Sequence, residues 1–220
     1  MKSAKNLFVI MLIFLLSFTS VQAMFTSAVK AETWTGITLP YTITQSGNYR
    51  ITAPWNSTQT GTQGLAIEAS NVVVDGQNYP LNLGAQKDDA VYAASQSNIL
   101  LQNINVTNAY IGLEINYCKN FTIQNCNVAN TNGSAGLRTL NCSDFTIKDC
   151  SLTNNTEGFL VGSSTNFHVI SCNATSNADC GFYIVNGSNF DVTLCSLSLS
   201  KRNNGFVALQ SDNFTVQNSS

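Results

Sequence analysis

The chain has 220 residues, enough for one ordinary domain or one elongated repeat unit, and charged residues are only 10% of it against roughly 25% in an average soluble domain. The formal net charge is −2 and no basic patch is available to neutralise phosphates, which argues against a nucleic-acid partner. The single histidine, His168, excludes a histidine-rich metal site, and 44% hydrophobic residues are too many for a disordered chain.

The first element is a removable leader. Lys2 and Lys5 precede an apolar run from Leu7 to Phe18, about a dozen residues and too short to span a bilayer comfortably. Val21-Gln22-Ala23 offers a small-x-small cleavage site and Val29-Lys30-Ala31 a second one. Residues 1–23 are therefore expected to be a signal peptide, with an uncleaved anchor as the alternative. Losing Lys2 and Lys5 would take the net charge from −2 to −4. No later segment could cross a membrane, and no cysteine follows the run to accept a lipid. The mature protein is expected to be secreted or held at the cell surface. Residues 24–63 are expected to form an N-terminal capping segment, and 64–220 a repeat region.

The repeat is read from the spacing of like residues. Gly112, Gly136, Gly158, Gly181 and Gly205 recur at steps of 24, 22, 23 and 24. Eight residues after each comes Asn120, Asp144, Asn166, Asn189 or Asn213, followed at once by Phe121, Phe145, Phe167, Phe190 or Phe214. Cys126, Cys150, Cys172 and Cys195 fall at a third equivalent position. Around each marker the apolar residues alternate with period 2, as in Leu113/Ile115 after a glycine and Phe121/Ile123 after an asparagine. Such alternation means short strands with one buried face. Three strands per turn of about 23 residues describe a coil that stacks on copies of itself, about 4.8 Å per layer. The expected fold is all-β: a three-sided parallel β-helix of about seven to eight coils, right-handed by the preference of parallel crossovers. Gly and Asn are both expected at bends that need left-handed backbone. Asn98, Asn120, Asn166, Asn189 and Asn213 are expected to form a side-chain ladder along the axis, with Asn120 and Asn213 bonded inward. The chain stops in mid-coil at Asn218-Ser219-Ser220 without a cap, so an open C-terminal end is expected. That end implies either a truncated product or a surface that meets a partner, including another copy of the chain.

This register, Gly-Φ-x-Φ followed by Asn-Φ-x-Φ, resembles the right-handed parallel β-helix repeats of the pectate-lyase-like superfold. The opening Leu39-Pro40-Tyr41-Thr42-Ile43-Thr44-Gln45-Ser46-Gly47-Asn48-Tyr49 and the Val72-Val73-Val74-Asp75-Gly76 turn resemble the starts of NosD-like proteins and of methanogen surface-protein repeats. The resemblance covers about residues 34 to 220. It speaks for fold and says little about chemistry.

Cys126, Cys150, Cys172 and Cys195 are expected to be small buried thiols in one inward ladder, with Cys118 and Cys142 in a second at a bend. Stacked Cβ atoms about 4.8 Å apart exceed the separation of a disulfide, although a Cys118–Cys142 bridge and a metal site stay open as alternatives. Asp88-Asp89 resembles the paired acids of β-helix polygalacturonases, but that family's Asn-Thr-Asp, Gly-His-Gly and Arg-Ile-Lys segments are missing, and the pair is read as a solvated acidic turn. His168 is expected to point outward between Thr146 and Asp191 as an ordinary surface residue.

The resemblance implies that any cleft lies on the outer face of the first strand of each coil. That face reads Tyr92/Ala94, Glu114/Asn116, Arg138/Leu140, Leu160/Gly162, Tyr183/Val185 and Val207/Leu209. Glu114 and Arg138 are expected to pair, and Tyr92 and Tyr183 are candidate sugar-stacking rings. The face is otherwise apolar, which points to a docked domain, subunit or glycan. Ten Asn-x-Ser/Thr sequons occur, of which Asn132, Asn154 and Asn173 lie in turns suited to glycan attachment. With no catalytic set and no cofactor motif, the expected function is a non-catalytic envelope, adhesion or carbohydrate-contacting module. A polysaccharide lyase or hydrolase, or a fragment of one, is the first alternative. A NosD-like accessory to a copper enzyme is the second.

Overall fold

The computed structural model describes residues 32–57, 63–84, 88–197 and 204–219, and the expected signal peptide lies outside them. From Trp34 onward every element is a short strand, and the strands assemble into three parallel sheets of eight, nine and six. One coil shows the plan: Leu113–Asn116 joins sheet I, Lys119–Gln124 joins sheet II, and Asn127–Ala129 joins sheet III. Each strand pairs in register with its equivalent one coil away, so Leu113 faces Leu137 and Phe121 faces Phe145. The coil therefore winds about seven times, as the spacing of the glycines and asparagines predicts. Strands already enter all three sheets between Trp34 and Asn56, within the stretch expected to cap the repeats.

Equivalent side chains stack because the period-2 pattern points the same residue inward in every coil. Phe121, Phe145, Phe167, Phe190 and Phe214 form one continuous column, with neighbouring centroids 4.6 to 4.9 Å apart and ring planes within 6° of parallel. The four ladder cysteines are buried and free, as are Cys118, Cys142 and Cys180. Each ladder thiol donates to the carbonyl two residues back: Cys126 to Gln124 at 3.2 Å, Cys150 to Lys148 at 3.2 Å, Cys172 to Ile170 and Cys195 to Thr193 at 3.3 Å. Ser164 and Ser211 do the same with hydroxyls at the bend where other coils carry Cys118 and Cys142. The thiols thus satisfy bend carbonyls. Burial pushes the Cys142 thiol up to about 12, which keeps it protonated and able to donate.

Two expectations about the bends are corrected. The left-handed positions are taken by asparagine and its substitutes, not by the repeat glycines. Asn71, Asn98, Asn120, Asp144, Asn166, Asn189 and Asn213 all have φ between 48° and 58°, whereas Gly112, Gly136, Gly158 and Gly181 do not enter that region. Those glycines are required by close approach. A Cβ on Gly158 would lie 2.5 Å from the Gly181 carbonyl oxygen, and one on Gly112 would lie 2.5 Å from that of Gly136.

The asparagine ladder also lies outside, not inside. Asn120 and Asn213 are exposed, and the amides bond along the axis, with Asn98 donating to Asn71 at 2.7 Å and Asn166 to Asp144 at 3.1 Å. The inward ladder is a different one. Buried Asn155 accepts from the Thr131 amide at 3.0 Å, and buried Asn177 accepts from the Asn155 amide at 2.9 Å. Their side chains donate in turn to the carbonyls of Val128 and Leu152.

One residue breaks this bend chemistry. Leu194 holds φ at 56° with 59% of its surface exposed, where the equivalent positions carry Asn125, Asp149, Ser171 and Asn218. Leu194→Asn is expected to stabilise the chain by about 1 kcal/mol, since asparagine tolerates left-handed backbone and little burial is lost. The midpoint of chemical denaturation measures it.

Candidate functional site

Sheet I carries the candidate site on its outer face. Its register places Tyr92, Glu114, Arg138, Leu160 and Tyr183 in one row across successive strands. Alternation along each strand turns these residues outward while Val91, Leu113, Leu137, Phe159 and Phe182 fill the core. A second row holds Ala94, Asn116, Leu140, Gly162 and Val185. Leu140, Leu160, Tyr183, Val185 and Val207 are half-buried by packing along the rows, and Leu209 is exposed.

The polar centre is built around Glu114, which is only 5% exposed. Its Oε1 accepts from Arg138 Nη2 and from Asn116 Nδ2, the latter at 2.6 Å. It also shares a hydrogen bond with Asp89. Burial alone would raise the Glu114 carboxyl. The hydrogen bonds from Asp89, Arg138 and Asn116, with the Arg138 charge, instead hold it below the usual carboxylate range. Asp89 goes the other way: burial, then the hydrogen bond and negative charge of Glu114, push it up to about 8. Near neutral pH the pair therefore shares one proton, carried by Asp89, and Arg138 balances the remaining charge.

This overturns the solvated acidic turn expected at Asp88-Asp89. Asp89 is half-buried, and its side chain reaches Glu114 in the next coil. Nothing in the repeat pattern signals the contact, because the register partner of Glu114 in the preceding coil is Tyr92. Two exposed rings also escaped the sequence pattern. Tyr110 and Tyr117 stand at the bends before and after the strand that carries Glu114, 41% and 64% exposed. The Tyr110 ring packs over Gly133, where a Cβ would come within 2.7 Å of it. Tyr117 sits in left-handed backbone at φ 55°, a position held by Ser95, Asn141 and Asn186 in other coils.

The raised Asp89 carboxyl makes stability depend on pH. In the unfolded chain Asp89 ionises near 3.8, while in the folded chain it keeps its proton to about 8. The folded state binds more protons across that window, so this group destabilises the fold progressively as pH rises from about 4 to about 8. Denaturation midpoints compared between the parent and Asp89→Asn are expected to diverge over that range in favour of the variant, and to run parallel above it.

The other predicted residues lie elsewhere. His168 Nδ1 is 3.2 Å from Asp191 Oδ2 on the outer face of sheet II, between Thr146 and Asp191 as the register requires. Asn132, Asn154 and Asn173 are exposed in and around the bends that follow sheet II and sheet III. A polar pocket of about 150 Å³ lies beside Asn154, lined by Thr131, Asn155, Thr156, Ser176 and Ala178. Among the described residues no three His, Cys, Asp or Glu side chains are grouped to hold a metal ion, and no helix is long and apolar enough to cross a membrane.

No curated protein sequence matches the chain. Among solved structures it is similar to full-length tailspike protein 2 from Escherichia coli O157:H7 bacteriophage CAB120, at 13% identity and a TM-score of 0.54, covering 86% of this chain and 35% of that one. It is similar also to ORF18 of Geobacillus virus E2, at 11% identity and a TM-score of 0.53, covering 88% of this chain and 41% of that one. The chain thus spans well under half the length of either structure, and the shared feature is the solenoid. Residues 89–220, more than half of the chain, match the family model of the right-handed beta helix region, and the chain belongs to that family.

Proposed function

We propose that this β-helix is a non-catalytic, secreted or surface-displayed module that contacts carbohydrate through the outer face of sheet I. The observation that carries the reading is the polar centre of Glu114 and Arg138, set in one row between Tyr92 and Tyr183 and joined from outside that row by Asp89 and Asn116. Sugars are bound by aromatic faces that take the apolar side of the ring and by fixed polar groups that take its hydroxyls. The apolar run from Leu7 to Phe18, preceded by Lys2 and Lys5, supports export.

The carboxyl geometry supports a binding role. Asp89 and Glu114 are in direct hydrogen-bond contact, whereas paired glycosidase carboxyls stand about 5 to 9.5 Å apart to admit the sugar or a water. One observation favours the hydrolytic alternative: Asp89 stays protonated beside an ionised Glu114, the division of roles that an acid and a base require. Affinity electrophoresis of the full chain in polysaccharide gels, run beside an assay for new reducing ends, separates the two. Retardation without new reducing ends is expected. Reducing ends that vanish in Asp89→Asn would establish the hydrolase instead, and absence of both retardation and cleavage would refute carbohydrate contact.

A further inference from the structure

The cysteine column beside sheet III is a row of soft ligands that the carbohydrate face does not use. Cys126, Cys150, Cys172 and Cys195 stand directly before Asn127, Ser151, Asn173 and Ser196, which pair in register from coil to coil. The four thiols are free and at most 2% exposed. They also engage one another, because hydrogen bonds join Cys126 to Cys150, Cys150 to Cys172 and Cys172 to Cys195. Satisfying a bend carbonyl does not require sulfur. Ser219 fills the same position in the last described coil and donates to the Gln217 carbonyl at 3.0 Å, as the cysteines do to theirs. Bend chemistry alone therefore leaves the unbroken run of thiols unexplained.

The coil spacing narrows what such a column can hold. A metal–thiolate bond is about 2.3 Å long, so a linear sulfur–metal–sulfur unit spans about 4.6 Å, against about 4.8 Å per coil. In a straight column each ion meets one sulfur above and one below. No three His, Cys, Asp or Glu side chains converge among the described residues, so zinc, which needs four ligands around it, is not served. Calcium and magnesium need oxygen ligands. Soft cations with a filled d shell, such as silver(I) and mercury(II), prefer thiolates and accept two in line.

We infer that this column is a binding site for soft, two-coordinate d10 cations, one held between Cys126 and Cys150 and one between Cys172 and Cys195. The site is independent of the carbohydrate reading above. Binding is a substitution: each S–H bond that breaks releases its proton to solvent, a sulfur–metal bond takes its place, and nothing is oxidised or reduced. A divalent ion displaces both protons of a pair and a monovalent ion displaces one, so each filled site is neutral and suits a buried position. The carbonyls of Gln124, Lys148, Ile170 and Thr193 give up only thiol hydrogen bonds, which are weak.

The test loads the reduced full chain with silver(I) or mercury(II) as it refolds, challenges it with excess glutathione, and counts retained ions by native mass spectrometry. An ion held by one sulfur is lost to the monothiol, while one held by two is kept. Cys180 serves as the control, since its register partners are Glu157 and Asn204, and Cys180→Ser is expected to leave the count unchanged. Serine suits the ladder position, as Ser219 shows, so the ladder variants are expected to fold, and circular dichroism checks that they do. Two double variants remove equal numbers of thiols with unequal results. Cys126→Ser with Cys150→Ser leaves the Cys172–Cys195 pair and is expected to lose one ion relative to the parent. Cys150→Ser with Cys195→Ser leaves Cys126 and Cys172 two coils apart and is expected to lose both. Equal counts in these two folded variants, or a parent that retains no ion against glutathione, would overturn the column site. Zinc retained in the same number would overturn its two-coordinate geometry.

Discussion

Arg138→Met is expected to destabilise the fold by about 3 to 5 kcal/mol, because it strands the Glu114 carboxylate, 5% exposed, without its cation. The partner change should be mild. Glu114→Gln leaves Arg138 with a quarter of its side chain in solvent, where water can hydrate the charge. Combining the two substitutions should recover most of the loss, and the interaction energy of the cycle should exceed about 1 kcal/mol. The Arg138→Met penalty should also shrink in acid, since protonating Glu114 removes the charge that lacks a partner. Urea denaturation of the four proteins at neutral and acidic pH measures all of this. A loss in the double variant equal to the sum of the two single losses would show that Glu114 and Arg138 do not depend on one another.

Phe167→Ala is expected to cost a similar amount, about 3 to 5 kcal/mol, through lost burial and the cavity left behind. Phe167 is fully buried and stacks on Phe145 at 4.9 Å and on Phe190 at 4.6 Å. The hole would open inside a column whose other rings are fixed by strand register, so the site cannot collapse around it. Phe214 belongs to the same column but is 41% exposed, and Phe214→Ala should cost about 1 kcal/mol. The contrast is the useful measurement, because it separates column packing from the general loss of an aromatic residue. A solenoid transmits strain mainly to neighbouring coils, so the Phe167 variant should also raise hydrogen exchange most in the strands Ser143–Lys148 and Ser188–Thr193.

The ladders were legible in the sequence because a solenoid turns linear spacing into contact. A residue about 23 positions away is a direct neighbour, so the recurrence of Phe121, Phe145 and Phe167 is already a statement about three-dimensional structure. The Glu114–Arg138 contact was legible for the same reason: both belong to the strand register. Spacing alone could not say why each repeated residue was there. Glycine and asparagine both recur, and only the backbone shows that asparagine takes the left-handed bends while glycine relieves contact with the next coil.

By itself, then, the sequence determined the winding, the register and which faces point in or out, since period 2 and a constant repeat length leave one consistent packing. The tertiary structure decided what happens where side chains leave that register. Asp89 meets Glu114, Tyr110 and Tyr117 flank the same strand, and one proton is shared across a coil boundary, because bend geometry and burial follow from how the coils stack and not from any repeated spacing.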